Sequence, residues 1–463
     1  MASRDKTDLL KAFLGSLPSG LAGRVAQAVE VDRMNNGKVL PHELILDSLR
    51  PALREADQAR RTNTPMRVFA RPFEDLLTNH VRARKQKGRI ARSSINPVWN
   101  WLARDVVPEQ SMAFALAVKT AALGLGDEDV DQQVADFWRL TAEALRNKLG
   151  SEGGRRQARQ ALGGDEVMED AREMGLLLYA AADFCTLQDQ LPNRIPALTD
   201  DVIHAFRESY ESLLKRLPEA APYLPLVVMK RLEFPWEALR LPLGATQSPD
   251  ESADHGDDLG LVGEILFGAL EAHVAALLEA APEHFNADVL VGHLHGFTTL
   301  CKGVVKEVEM RRDGLWSERL MKDCAAVAEA MDRFMEDAPS QILSALPMQV
   351  DQSDVPEMFN APDLEKCDRA LCYARLLAGS RSLASAGSFA ASLLRADQEI
   401  AAALRRYNEA IVRELRYADD DQRQNAEQYA AIATELTTIL FSLDESEALR
   451  QRRGAAAAQT LAA

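Results

Sequence analysis

Apolar residues in this chain recur every three or four positions wherever any period is visible, and that spacing suits helices and little else. Between Val202 and Leu217 they fall at Ile203, Phe206, Tyr210, Leu213, Leu214 and Leu217. Between Leu259 and Leu278 they fall at Val262, Leu266, Leu270, Val274 and Leu277, with His273 on the same stripe. No segment alternates apolar and polar residues ahead of a hairpin turn, so the expected fold is all-α, a multi-helix bundle or an irregular helical array. Composition agrees: aromatics are only 6% of the 463 residues, whereas Ala, Leu, Arg and Glu, the best helix formers, abound.

Two seams near the C-terminus are more specific. Ile400, Leu404, Tyr407, Ile411 and Leu415 alternate spacings of four and three, and Ile432, Leu436, Ile439 and Leu443 repeat the pattern after a polar run. Asp419, Asp420 and Asp421 in that run suit the start of a second helix, where carboxylates meet the positive end of the dipole. The expectation is an antiparallel helical hairpin, with a seam that could extend into a homodimer. Glycine and polar punctuation then divides the chain into an N-terminal helical region (1–149), a flexible Gly/Arg-rich linker (150–165), a central helical domain (166–350), a C-terminal hairpin region (351–453) and a frayed tail (454–463).

Charge is distributed unevenly. Between Arg50 and Arg104 thirteen Arg or Lys residues face four acids, a net of +9 in a chain that carries −16, which leaves −25 for the remainder. The density peaks in His80–Arg92, where Arg82, Arg84, Lys85, Lys87, Arg89 and Arg92 occur without an acid, and Trp99 and Trp101 follow. Such polarity points to an anionic partner. Another protein with an acidic surface fits best. Nucleic acid would use the same cations for phosphates and the aromatics for stacking, although the overall charge opposes a polyanion. A membrane surface fits poorly, because two tryptophans two positions apart diverge on a helix. The competing reading is internal: the island docks on acidic helices of its own chain, and the tryptophans pack in the core. A helix is expected over Pro97–Val107, with Asn96 as its N-cap.

Other motifs are thinner. Asp32–Glu43 has the spacing of a calcium loop, with Asp32 first, Asn36 fifth, Gly37 sixth and Glu43 twelfth, which makes Asp32, Asn36 and Glu43 candidate metal ligands. Met34 and Leu40 stand where oxygen ligands belong, so a helix–glycine turn–helix is the favoured reading. Arg311, Arg312 and Arg319 form a secondary candidate anion site around Gly314, although arginines at a helix C-terminus need no ligand. His273 reads as a satisfied core residue. His293 and His295 lie on different faces, and His255 beside Asp257 and Asp258 lacks a third ligand. The five cysteines, Cys185, Cys301, Cys324, Cys367 and Cys372, show no CxxC spacing and read as reduced thiols of a cytoplasmic protein. The excess of Arg over Lys suggests a bacterial source.

The first residues, Met1–Asp8, are charged and lack the apolar core of a signal peptide. No uninterrupted apolar run reaches membrane-spanning length. Signatures for nucleophilic, phosphate-cradling or zinc catalysis are missing, so no catalytic residue or cofactor is nominated. The implied function is that of a non-catalytic helical interaction or adaptor protein contacting an anionic partner through the island. The alternatives are a nucleic-acid-associated protein using the same cations and a metal-dependent all-α enzyme.

Overall fold

A computed structural model describes residues 64–79, 85–122, 130–242, 258–307, 314–349, 355–416 and 420–441, with scattered positions between 13 and 49 and between 447 and 452. The fold is all-α, as the spacing predicts. Two short parallel strands, β1 (Leu77–Thr78) and β2 (Ile90–Ala91), pair Leu77 with Ile90 and Thr78 with Ala91. At two residues each, they are too short to leave a period in the sequence.

The chain divides into two compact units. One comprises Asp5–Leu266 and Gly303–Trp316, and the other Met1–Arg4, Phe267–Lys302 and Ser317–Ala463. This division coincides with neither of the boundaries expected at 150–165 and 350.

In the first unit the helices are α1 (Pro65–Ala70), α2 (Ile95–Trp101), α3 (Pro108–Ala122), α4 (Val130–Gly150), α5 (Glu152–Leu162), α6 (Asp165–Tyr179), α7 (Ala181–Gln190), α8 (Asp200–Arg216) and α9 (Leu224–Arg231). Helix α6 is central, packing along α4 and touching α2, α5, α7 and β2. Its partner α4 buries Val134, Phe137, Thr141, Leu145 and Leu149, a stripe at helical spacing. On α8 the buried stripe is Val202, Phe206, Tyr210 and Leu213, with Thr199 as N-cap, while Leu214 faces outward.

The expected linker at 150–165 is instead mostly helix α5. Ser151 caps its start by accepting from the Gly154 N–H, and Gly163 ends it in the left-handed region at φ 84°. Ala158 and Leu162 anchor the helix in the core. The glycines that suggest flexibility sit in the first turn and at the C-terminal cap, where glycine terminates helices rather than disordering them.

Helix α2 begins at Ile95, two residues before the expected start, following directly on a 3-10 turn at Arg92–Ser94, and Ser94 rather than Asn96 stands at its N-cap, without a side-chain cap bond. Trp101 is buried. Trp99 joins an aromatic cluster with Phe69, Phe114 and Phe137, the last two stacked 4.0 Å apart.

Helix α10 (Asp258–Glu279) is the most apolar. Its segment Gly260–Glu279, with mean hydropathy 1.7, is long and apolar enough to cross a membrane by composition alone. Glu264, Glu271 and His273 interrupt that run, so a search for uninterrupted stretches passes over it. Val262, Phe267, Leu270 and Leu277 are fully buried within the protein, as expected of a core helix.

The second unit adds α11 (Ala287–Glu307) up to Lys302, α12 (Leu315–Leu343) from Ser317, α13 (Leu364–Ser380), α14 (Ala390–Glu414) and α15 (Asp420–Leu440). Helices α14 and α15 pack together as the expected hairpin, and α15 also packs on α13. Ile400, Leu404, Tyr407, Ile411 and Leu415 are buried as read from the sequence. On α15 the buried face is Ala426, Tyr429, Ala433, Leu436 and Leu440, while Ile432 is only half-buried. Leu436 is buried as expected, whereas Ile432 and Ile439 are half-buried and their neighbours Ala433 and Leu440 are buried instead; Leu443 lies outside the described residues.

Candidate functional site

The basic island was the leading candidate. The structure answers its central cation from within the chain. Lys85 Nζ lies 2.6 Å from Asp170 Oδ1 and 2.5 Å from Glu173 Oε2, two carboxylates on one face of α6 that are almost fully buried. The Asp170 contact is an ion pair without hydrogen-bond alignment, whereas Lys85 donates to Glu173 and to the Arg89 carbonyl.

The same two acids hold the loop backbone. Gly88 N–H donates to Glu173 Oε1 at 2.7 Å and Ala91 N–H to Asp170 Oδ2 at 3.1 Å, and the Ser94 hydroxyl donates to that oxygen at 2.6 Å. Tyr223 borders the set and feels the Glu173 charge. Burial first, and the Glu173 charge second, push its phenol well above the ordinary range, so it stays protonated. The arrangement is a clasp, with two buried acids, one lysine, and loop donors filling the remaining lone pairs. Removing one member of such a buried pair typically costs about 3–5 kcal/mol.

The turn itself needs glycine. Gly88 has φ +81°, and a Cβ there would stand 2.5 Å from Leu226 Cδ1. A second buried pair supports the loop's base. Arg231 donates to Asp75 Oδ2 from Nε and Nη2 (3.1 and 2.9 Å) and to the Gln188 and Leu191 carbonyls from Nη1.

The remaining island cations are distributed as follows. Lys87 is exposed, with its Nζ 5.6 Å from the centre of the Tyr223 ring. Arg92 is exposed and pairs with Glu74 at 3.3 Å, and Arg71 Nη2 donates to both Asp189 carboxylate oxygens, at 2.9 and 2.6 Å. Arg89 is half-buried. Arg82 and Arg84 lie outside the described residues.

Of the secondary anion candidates, Arg319 is engaged, its Nη2 2.8 Å from Glu271 Oε1 and its guanidinium 4.7 Å from the Phe267 ring centre. Arg311 and Arg312 lie outside the described residues, as do Asp32, Asn36 and Glu43. Among the described residues, no three or more His, Cys, Asp or Glu side chains gather as a metal site.

His273 is half-buried, with Nδ1 3.1 Å from His293 Nδ1. Burial first, and the neighbouring imidazole second, lower its pKa. In the second unit a cleft of about 640 Å³ opens between the start of α11 and α13. Asn286, Asp288, Asp368, Arg369, Cys372 and Arg375 contribute to its lining. Its charges are mixed in sign, and the Cys372 thiol is bonded to the Phe285 carbonyl at 3.1 Å.

Sequence reasoning missed Asp170, Glu173, Tyr223 and Arg231. One signal was available for the first two: they flank Ala171 and Met174 on the buried stripe of α6, where a carboxylate demands a partner. No protein-family model matches this chain, and neither a curated protein nor a solved structure does.

Proposed function

We propose that the protein is a non-catalytic helical interaction protein that meets an acidic surface of another protein with the outer part of its basic island. One observation supports this reading. The clasp on α6 holds the loop backbone at Gly88 and Ala91 while Lys87 and Arg92 remain exposed on it. The Arg92–Glu74 contact is a surface ion pair, worth about 0–1 kcal/mol, so a partner's carboxylate can replace Glu74 at little cost. Arg82 and Arg84, a few residues away in sequence, would extend the same positive stretch. A cytoplasmic setting is part of the proposal.

The test is charge reversal on the outer face alone. Lys87→Glu with Arg92→Glu should keep the helical circular-dichroism signal and unfolding midpoint, and abolish capture of a defined acidic partner. An unchanged set of captured partners would overturn the proposal. Tight binding to duplex DNA at 50 mM salt, lost by the same variant and falling steeply with added salt, would replace it with the nucleic-acid reading.

A further inference from the structure

Two imidazoles meet inside the second unit. His273 on α10 and His293 on α11 are both half-buried, with their Nδ1 atoms 3.1 Å apart. The ring centres are 5.4 Å apart, which is that separation plus about one ring radius at each end, so the two nitrogens point straight at each other. With the ring planes inclined by 63°, the contact is a hydrogen bond and not a stack. Gly296, one turn beyond His293, permits the approach. A Cβ there would stand 2.6 Å from His273 Cε1 and 2.7 Å from its Nε2.

A head-on pair of nitrogens has room for one proton between them. In the neutral pair one ring donates from Nδ1–H and the other accepts on a bare Nδ1. A first added proton goes to the outer nitrogen of the donor and leaves the bond in place. His273 presents its outer nitrogen to the α11 backbone at Gly296, so His293 is the better placed donor and His273 the acceptor. A second added proton has only the shared position left, on the acceptor's Nδ1. Two N–H groups and two positive charges would then face each other across 3.1 Å, and the contact has to open.

The surroundings offer that second charge no counterion. Burial and His293 are what His273 feels, and no carboxylate contributes among the described residues. The residues three and four positions either side of each histidine are all uncharged. Glu271, the acid nearest in sequence, pairs with Arg319 of α12, and His295 is exposed. Helix α13 meets α11 at Val291 through Gly379, and the segment after it meets Leu294 through Gly387, again without charge.

We propose that His273 and His293 form a proton-driven latch between α10 and α11, closed with at most one added proton and opened by a second. This regulation goes beyond the interaction role and does not depend on it. The closed pair refuses a proton that the open pair accepts. Opening therefore begins below the ordinary histidine value of about 6.5 and is favoured as pH falls.

The experiment is hydrogen–deuterium exchange of the full chain, read by mass spectrometry and corrected for the intrinsic pH dependence of exchange. Peptides covering 267–279 and 287–302 should lose protection together, by about tenfold for each pH unit below about 6.5, while α14 and α15 keep theirs. His273→Gln and His293→Gln each remove one titrating ring and keep a side chain that can hydrogen-bond to the other. In both variants the slope should disappear. Where a variant fails to fold, the unsubstituted chain still decides. Protection that holds unchanged down to about pH 5 would overturn the proposal. So would a slope that survives in both variants, or an equal loss in α14 and α15, which would mark general acid unfolding.

Discussion

The loop around Lys85 and the C-terminal hairpin both fix one segment of chain to another, by opposite means. The hairpin uses a repeating seam, with Ile400, Leu404, Tyr407 and Ile411 buried on one long helix and Tyr429, Ala433, Leu436 and Leu440 buried on the other. Its buried polar bond is specific but minor, with Asn408 donating to the Thr437 hydroxyl at 3.0 Å. The loop has no repeat and little apolar surface of its own, so it is held by charge and backbone hydrogen bonds to Asp170 and Glu173. Distributed apolar contacts lose stability gradually as single residues change. A clasp that neutralises two buried acids with one lysine depends on that lysine.

The largest effect should therefore come from Lys85→Met, which leaves Asp170 and Glu173 buried without a cation. Urea unfolding should show a loss of about 3–5 kcal/mol. A loss under about 1 kcal/mol would mean that water or another cation serves the acids. Leu404→Ala, at the centre of the hairpin seam, should cost about 2–4 kcal/mol by the same measurement, with the seam persisting around the cavity. Gly88→Ala should cost about 2–3 kcal/mol, through its positive φ and the clash with Leu226. A neutral outcome would show that the turn can relax.

These contrasts also explain how much was legible in the sequence. The hairpin could be read because its period is written locally, in spacings of three and four. On α15 Leu436 was read correctly, but Ala433 was passed over for Ile432 because alanine signals helix strongly but burial weakly. The clasp could not be read in full, because its partners are separated by about eighty to ninety residues and no local period links them. The island's positive charge was plain. Which of its cations turns inward depends on where α6 passes, and that follows from the tertiary packing of α4 on α6. The supposed linker failed for a related reason, since glycine at a cap and glycine in a loop look alike until the flanking Ala158 and Leu162 find a core.

Titration probes the second unit outside the hairpin, at two groups shifted in opposite senses. His273, in the second unit, has its pKa lowered by burial and by His293, so the folded state takes up its proton at lower pH than the unfolded chain. The sign follows: as pH falls below about 6.5 the unfolded state binds a proton first, and stability declines until the folded pKa is passed. Thermal melts from pH 7.5 to 5.5 should show this slope, and His273→Phe should flatten it. Asp323 runs the other way. It is buried with Oδ2 lacking a hydrogen-bond partner, and burial, then Glu271, raise its pKa. Asp323→Asn should therefore stabilise the protein at pH 7 by about 1 kcal/mol, the gain shrinking as pH falls toward 4. A destabilised variant would show that attraction to Arg319 outweighs burial.

The most direct test of the account is a double-mutant cycle on the clasp, comparing Lys85→Met, Glu173→Gln and the two together by chemical unfolding. If the island's central lysine is committed to its own acidic helix, the two losses will fall short of additivity by about 1–3 kcal/mol. Additivity within about 0.3 kcal/mol would contradict the account and return Lys85 to the surface, available to a partner.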